Sequence, residues 1–343
     1  MSPEATTSIA FAGAGMIASV HLEAIQRIPE LSVGAVASRS PERAASAAQR
    51  LGVPATTYDQ LPAGTDAVMI ATPPAHHEPL ALRLMDAGVP VLVEKPLCTT
   101  LAAGDRLVAA AERGGRLAYA ENLVHAPAVQ EALEQAQLLV GIDHLELRAL
   151  QPRPTWGDFL LPSWGGGVLF DLGAHPIALA LLFAAPARPT EVLARLEGAD
   201  DHEVDEHADV TLRFDSGAQA HLVVSWRNDD DVVWDAQVAC PTGIVRLELL
   251  PEVRVEVSGT EVQLPALEDG VPASLQELGY LDQMRSFAAD VATGGTPLLG
   301  AAFGQAVLDV TCAAYASAAD GSWVSLPFTG PRDRTPHQLW RGA

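Results

Sequence analysis

The stretch IAFAGAGMIASVH, residues 9–21, decides the fold. An apolar run ends at Gly13, Gly15 and Ala18, spaced as GxGxxA, and a helical pattern starts at once. The first glycine of such a loop permits a tight turn. The second lets backbone approach a pyrophosphate, and the small third residue lets the helix pack on the strand. The opening of the helix, at Met16 and Ile17, then presents backbone N–H groups and a positive dipole end to the phosphates. The spacing predicts a strand, turn and helix that hold a dinucleotide.

Outward from this loop, short apolar runs alternate with helical stretches up to residue 122. Strands are expected at 9–14, 33–37, 67–71, 89–93 and 117–122, in the βαβ rhythm of a parallel sheet. Ser40 and Pro41 read as an N-cap and first helical residue, with Gly52 closing that helix. After Pro127 the rhythm becomes two-residue alternation. Leu145, Leu147 and Ala149 alternate with His144, Glu146 and Arg148, and Val210, Leu212 and Phe214 with Asp209, Thr211 and Arg213. Further strands at 218–226, 232–239, 244–249, 254–257 and 261–264 predict a large, mostly antiparallel sheet. A cover for it is expected from a helix introduced by a Ser274/Glu277 capping box and carrying Leu281, Met284, Ala288 and Val291, and from a second helix at 301–319. The reading is an α/β chain with a dinucleotide-binding domain at 1–122, a second α+β domain at 123–330 and a tail at 331–343.

Composition narrows the function. The chain has 343 residues, 48% hydrophobic and 19% charged, enough for two ordinary globular domains. Its net charge of −22 opposes nonspecific binding to nucleic acid or to an anionic membrane. No apolar run reaches the roughly 20 residues of a membrane helix, and no basic segment precedes the first apolar run, so a cytoplasmic location is expected. Cys98, Cys240 and Cys312 are too scattered for a disulfide framework or a zinc site, and no metal is expected. Of 21 basic side chains 20 are arginine and one is lysine, Lys95. An ammonium is compact and tunable where a guanidinium is neither, so this lone lysine is a candidate for chemistry.

Cofactor choice is read at the end of the second strand. A site that prefers NAD usually offers a carboxylate there to the adenosine ribose. Here VASRS, residues 36–40, offers Ser38 and Arg39, which suit a 2′-phosphate. NADP(H) is therefore the preferred cofactor, with NAD(H) possible.

Three more motifs carry side chains suited to chemistry. ATPPAHH (71–77) and VLVEKPL (91–97) each follow a strand at the edge where ligands bind in such sheets. GGGVLFDLGAHP (165–176) sets Asp171 and His175 four apart, on one face of a continuous helix, behind three glycines suited to close approach by a ligand. With the GxGxxA loop and YLDQMRSFAADVATGGTP (280–297), their order and spacing resemble the Gfo/Idh/MocA family of NAD(P)-dependent oxidoreductases, over about residues 8–328.

That resemblance implies a Rossmann domain, an α/β domain whose open sheet often joins subunits into a homodimer or homotetramer, and nicotinamide at their junction. It implies catalytic roles for Lys95, Asp171 and His175 in moving a hydride between nicotinamide and a carbinol or carbonyl carbon of a sugar, cyclitol or related small molecule. Thr72, Pro73, His77, Glu94 and Lys95 join Gly13, Gly15, Met16, Ile17, Ser38 and Arg39 as expected cofactor contacts, although a purely structural role for His77 stays open. Asn122, His125, Trp156 and Trp164 are the candidate substrate contacts. The segment LVHAP (123–127) lacks an arginine common in the family before the proline, and Ala178 stands where aspartate is frequent, so substrate identity stays open. A reductase of an imine, diketone or tetrapyrrole, a redox-assisted glycosidase, and a regulatory protein that binds cofactor without turnover are the other readings.

Overall fold

The computed structural model describes residues 6–61, 64–229 and 232–342. It divides into two compact units, Met1–Cys98 with Ala102–Asn122 and Asp269–Gln305, and Thr99–Leu101 with Leu123–Glu268 and Ala306–Ala343. The first unit holds strands β1 (Thr7–Ala12), β2 (Leu31–Ala37), β3 (Ala55–Thr56), β4 (Ala67–Ile70), β5 (Val91–Glu94) and β6 (Leu117–Ala120). All pair in parallel, in the order β3-β2-β1-β4-β5-β6. Strands β4, β5 and β6 are buried at every position, as apolar runs covered on both faces must be. Strand order reverses between β1 and β4, the switch point where such sheets bind ligands. Helices α1 (Met16–Ile25), α2 (Pro41–Leu51), α3 (His77–Asp86) and α4 (Leu101–Glu112) make the crossovers. In α2 the Ser40 hydroxyl accepts the Arg43 N–H at 3.2 Å, and Gly52 closes the helix at φ 69°.

The second unit is built on a nine-stranded sheet. Helix α5 (Pro127–Gln137) precedes β7 (His144–Leu150), and α6 (Val168–Asp171) and α7 (Ala174–Ala184) follow it. Strands β8 (Pro189–Gly198), β9 (Asp205–Phe214), β10 (Gln219–Ser225), β11 (Val233–Cys240), β12 (Gly243–Leu250), β13 (Arg254–Val257), β14 (Thr260–Glu261) and β15 (Val324–Ser325) complete it. The order is β14-β13-β12-β11-β7-β10-β9-β8-β15, antiparallel except where β10 runs parallel to β7. Register aligns Ala194, Val210, Leu222, Leu147, Ala236, Leu247 and Val255 into one buried row across seven strands. Helices α5, α6 and α7 lie against this sheet. Its charged face carries cross-strand pairs instead, among them Arg148 with Asp235 and Arg246 with Glu256.

Expectations about the C-terminal part need correction. Ser274 does not cap a long helix. It lies inside the short α8 (Ala273–Glu277), and Gly279, at φ 76°, breaks the chain before α9 (Tyr280–Thr293). Nor does α9 cover the large sheet, because Leu281, Met284 and Phe287 pack into the first unit's core with Ile9, Phe11 and Met69. The compact units thus cut the chain differently from 1–122, 123–330 and 331–343, since 269–305 goes with the first unit. Helix α10 (Ala301–Asp320) is followed by α11 (Pro336–Arg341), which belongs to the second unit rather than to a tail. There the His337 N–H donates to the Gly165 carbonyl at 2.8 Å. Residue 343 of the expected tail lies outside the described residues.

Candidate active site

In the first unit, β1 is followed by Gly13, whose φ of 126° no other residue readily adopts. A Cβ there would lie 2.2 Å from the Ala71 carbonyl oxygen, so the turn is glycine because β4 comes close. Gly15 differs: a Cβ would meet nothing within 4 Å, which leaves open space over the backbone. Helix α1 starts after Gly15 with no side-chain cap and no acidic residue in its first turn. Ala18 is fully buried and Met16 is exposed, with Ile17 half-buried behind it. An uncapped helix end at a strand-order switch, with bare backbone before it, fits the pyrophosphate of a dinucleotide.

At the end of β2, Ser38 is half-buried and its hydroxyl accepts the Ser40 N–H at 3.3 Å. Arg39 is exposed, with Nη1 3.4 Å from His76 Nε2. Tyr58 also reaches this corner. Burial raises its phenol, against hydrogen bonds to the Arg39 main chain and to Ser38. Neither His76 nor Tyr58 was expected among the cofactor contacts. Tyr58 sits in a short turn after β3, and no spacing rule ties it to the glycine loop.

The TPP and EKP turns meet through a buried ring. His77, fully buried at the start of α3, has Nε2 2.7 Å from the Thr72 carbonyl and Nδ1 3.0 Å from the Pro96 carbonyl. Burial lowers its pKa, while the carbonyls and the Glu94 charge act to raise it. A neutral ring carries one N–H, so only one carbonyl at a time receives a proton. Thr72 Oγ1 is buried without a hydrogen-bond partner, and Pro73 opens the turn leading into α3. Glu94, almost fully buried at the end of β5, meets His21 of α1 at 2.6 Å, and its other oxygen accepts the Lys95 N–H at 2.9 Å. Asn122 is buried, with its amide donating to the Leu278 carbonyl at 2.8 Å, so that group is engaged within the first unit.

In the second unit, Asp171 and His175 are both buried. They do not share one continuous helix: Asp171 ends α6, His175 lies in the first turn of α7, and the chain bends by 48° at the break. The glycines before them are required by the chain's own packing. A Cβ on Gly167 would lie 2.1 Å from the Asp205 carbonyl oxygen, and one on Gly166 would lie 2.5 Å from Phe170 Cβ and 2.8 Å from the Tyr315 hydroxyl. Asp205, fully buried on β9, accepts N–H groups of Gly167 at 3.0 Å and Leu169 at 2.9 Å, and the Tyr315 hydroxyl at 2.5 Å. Desolvation raises its pKa against those bonds. This carboxylate takes the place of the missing cap on α6. His175 faces Trp234 of β11, ring centroids 5.4 Å apart. Leu123, Pro176 and Leu179 line the same small cavity. Trp234 escaped sequence reading because only sheet pairing, Trp234 opposite Ala149, brings it to α7.

His125 is half-buried in the turn Asn122–His125, Trp164 packs edge-on against Phe159 at 4.6 Å, and Trp156 is exposed. Among the described residues, Asp201, His202 and Glu206 come close enough to hold a cation. Arg153 already pairs with both carboxylates.

Residues 7–122 match the model of an oxidoreductase family with an NAD-binding Rossmann fold, and residues 135–264 match the GFO/IDH/MocA C-terminal domain. The chain belongs to the GFO/IDH/MocA family. It is an oxidoreductase of that family, and its first unit is the family's NAD-binding Rossmann fold. An uncharacterized oxidoreductase of Rhizobium meliloti is 34% identical over 209 residues, 57% of this chain and 60% of that protein. The chain thus aligns with less than two thirds of that relative. D-xylose 1-dehydrogenase (NADP(+)) 2 of Haloferax volcanii is 29% identical over 87% of this chain and 93% of its own. Among solved structures, GenD2 from gentamicin A biosynthesis, in complex with NAD, superposes with a TM-score of 0.84 at 28% identity, covering 94% of this chain and 97% of that one.

Proposed function

We propose that this protein is an NADP-preferring dehydrogenase or reductase that moves a hydride between nicotinamide and a carbinol or carbonyl carbon of a sugar, cyclitol or related small molecule. The observation that carries the reading is the uncapped start of α1 at the switch point, with Ser38, Arg39 and His76 gathered at the end of β2. Gly13, Gly15, Met16 and Ile17 would hold the pyrophosphate, and Ser38 and Arg39 the 2′-phosphate. Thr72, Pro73 and Glu94 would face the rest of the cofactor. His77 would hold the two turns. The nicotinamide, when bound, supplies the hydride acceptor or donor.

Side-chain roles follow from proton balance. Removing a hydride from a carbinol carbon leaves a proton on the oxygen, and a neutral imidazole nitrogen can accept it, so His175 takes that proton. The Lys95 ammonium holds the same oxygen and favours its negative charge, while Asp171 orients substrate. In reduction the proton runs back from His175. Asn122, His125, Trp156 and Trp164 stay candidate substrate contacts, joined by Trp234 through its packing on His175. A cytoplasmic homodimer or homotetramer joined through the charged sheet face completes the proposal. Incubation with NADP or NAD and a panel of aldoses, inositols and ketones, read by nicotinamide absorbance, tests it. Turnover with at least one polyol or its ketone is expected. Cofactor binding with no turnover on any of them would instead favour a regulatory protein.

A further inference from the structure

Lys95 lies on a turn whose main chain is gripped by buried side chains, and one of them closes the stretch 9–21 without being among the expected cofactor or catalytic residues. His21, on α1, is fully buried, with the Tyr280 ring edge-on at 5.4 Å. Its Nε2 stands 2.6 Å from Glu94 Oε1, and its Nδ1 is buried without a hydrogen-bond partner. A buried lone pair left empty costs less than a buried N–H left without an acceptor, so the ring proton belongs on Nε2, where it donates to Glu94. The second oxygen of Glu94 accepts the Lys95 N–H at 2.9 Å. One carboxylate therefore receives a donor from α1 on one side and from the Lys95 main chain on the other. Beyond Lys95, the Pro96 carbonyl is held 3.0 Å from His77 Nδ1.

We infer that His21 is a positioning residue for Lys95, acting through Glu94, so that the helix whose first turn faces the pyrophosphate also sets the turn bearing the lysine. The inference rests on the functional reading above, in which Lys95 acts on substrate oxygen. Its geometry lies wholly in the first unit. Because a misplacement near 1 Å at a reacting group costs about 10²-fold in rate, loss of this grip is expected to reach that size.

Lys95 is the only lysine in the chain, so protein labelled with ¹³Cε-lysine gives a single side-chain NMR line that reports on this turn alone. The test compares wild type, His21→Gln, which keeps an N–H donor, and His21→Met, which does not. In His21→Met the line is expected to move or split and kcat to fall about 10²-fold while the cofactor Kd holds, with His21→Gln close to wild type in both. An unmoved line and unchanged kcat in folded His21→Met overturn the inference, as do equal losses in both variants, the mark of a merely structural core residue. Should His21→Met not fold, Glu94→Gln offers one acceptor to two donors, and an unmoved Lys95 line there is equally fatal. If the wild type turns over no substrate, the functional reading fails, yet the line comparison still decides whether His21 sets Lys95.

Discussion

At Gly15 and Gly167 the same added methyl group has opposite consequences. Gly15→Ala meets no atom of the chain, so the protein should melt at nearly the wild-type temperature while cofactor affinity falls, as fluorescence titration would show. Gly167→Ala drives a Cβ into the Asp205 backbone, so the fold itself should fail and soluble yield collapse. Arg39 tests cofactor choice: Arg39→Ala should lower NADPH efficiency while sparing NADH, and an unchanged ratio would refute the 2′-phosphate role. His77 carries a pH dependence with a definite sign. Burial holds its folded pKa below the ordinary value, so the unfolded ring takes up a proton first as pH falls past about 6.5. Its stabilising contribution is therefore complete above that pH and is lost on acidification. The urea midpoint of wild type should drop more between about pH 7.5 and 5.5 than that of His77→Leu, and parallel slopes would contradict this.

Among elements, those with local punctuation were legible. Ser40, Pro41 and Gly52 mark both ends of α2, and their local bonds suffice to set it. Elements fixed by distant partners were not. The Ser274/Glu277 pair looked like a capping box, yet Gly279 in a left-handed conformation separates it from α9, and no local rule ranks the two signals. The partly buried strand β8 lacks clean alternation and is held by its pairing with β9. The Asp171/His175 spacing was read as one helical face, but it spans a break between α6 and α7. Likewise the three glycines announced a close approach without saying of what, and the answer is the chain's own Asp205, Phe170 and Tyr315. The reassignment of α9 has a measurable consequence. Met284 is fully buried in the Rossmann core, so Met284→Ala should cost about 2–5 kcal/mol by urea titration.

At the scale of the whole molecule, the family fold was legible because its motifs fall at strand ends, where backbone geometry restricts which residues fit. The charged outer face of the large sheet is the proposed subunit contact. Arg148 there pairs with Asp235, and Arg148→Glu would set like charges side by side. Light scattering should show a dimer or tetramer for wild type and a lighter species for the variant, and equal masses would place the contact elsewhere. The claim that orders everything else is hydride transfer, and one measurement meets it directly. Substrates from the polyol panel, deuterated at the carbinol carbon, are incubated with NADP and the recovered nicotinamide is analysed by mass spectrometry and NMR. The account predicts deuterium at nicotinamide C4 with wild type and almost none with Lys95→Ala, while that variant keeps its fold. Label transfer at the wild-type rate in folded Lys95→Ala, or no transfer from any substrate in wild type, would contradict it.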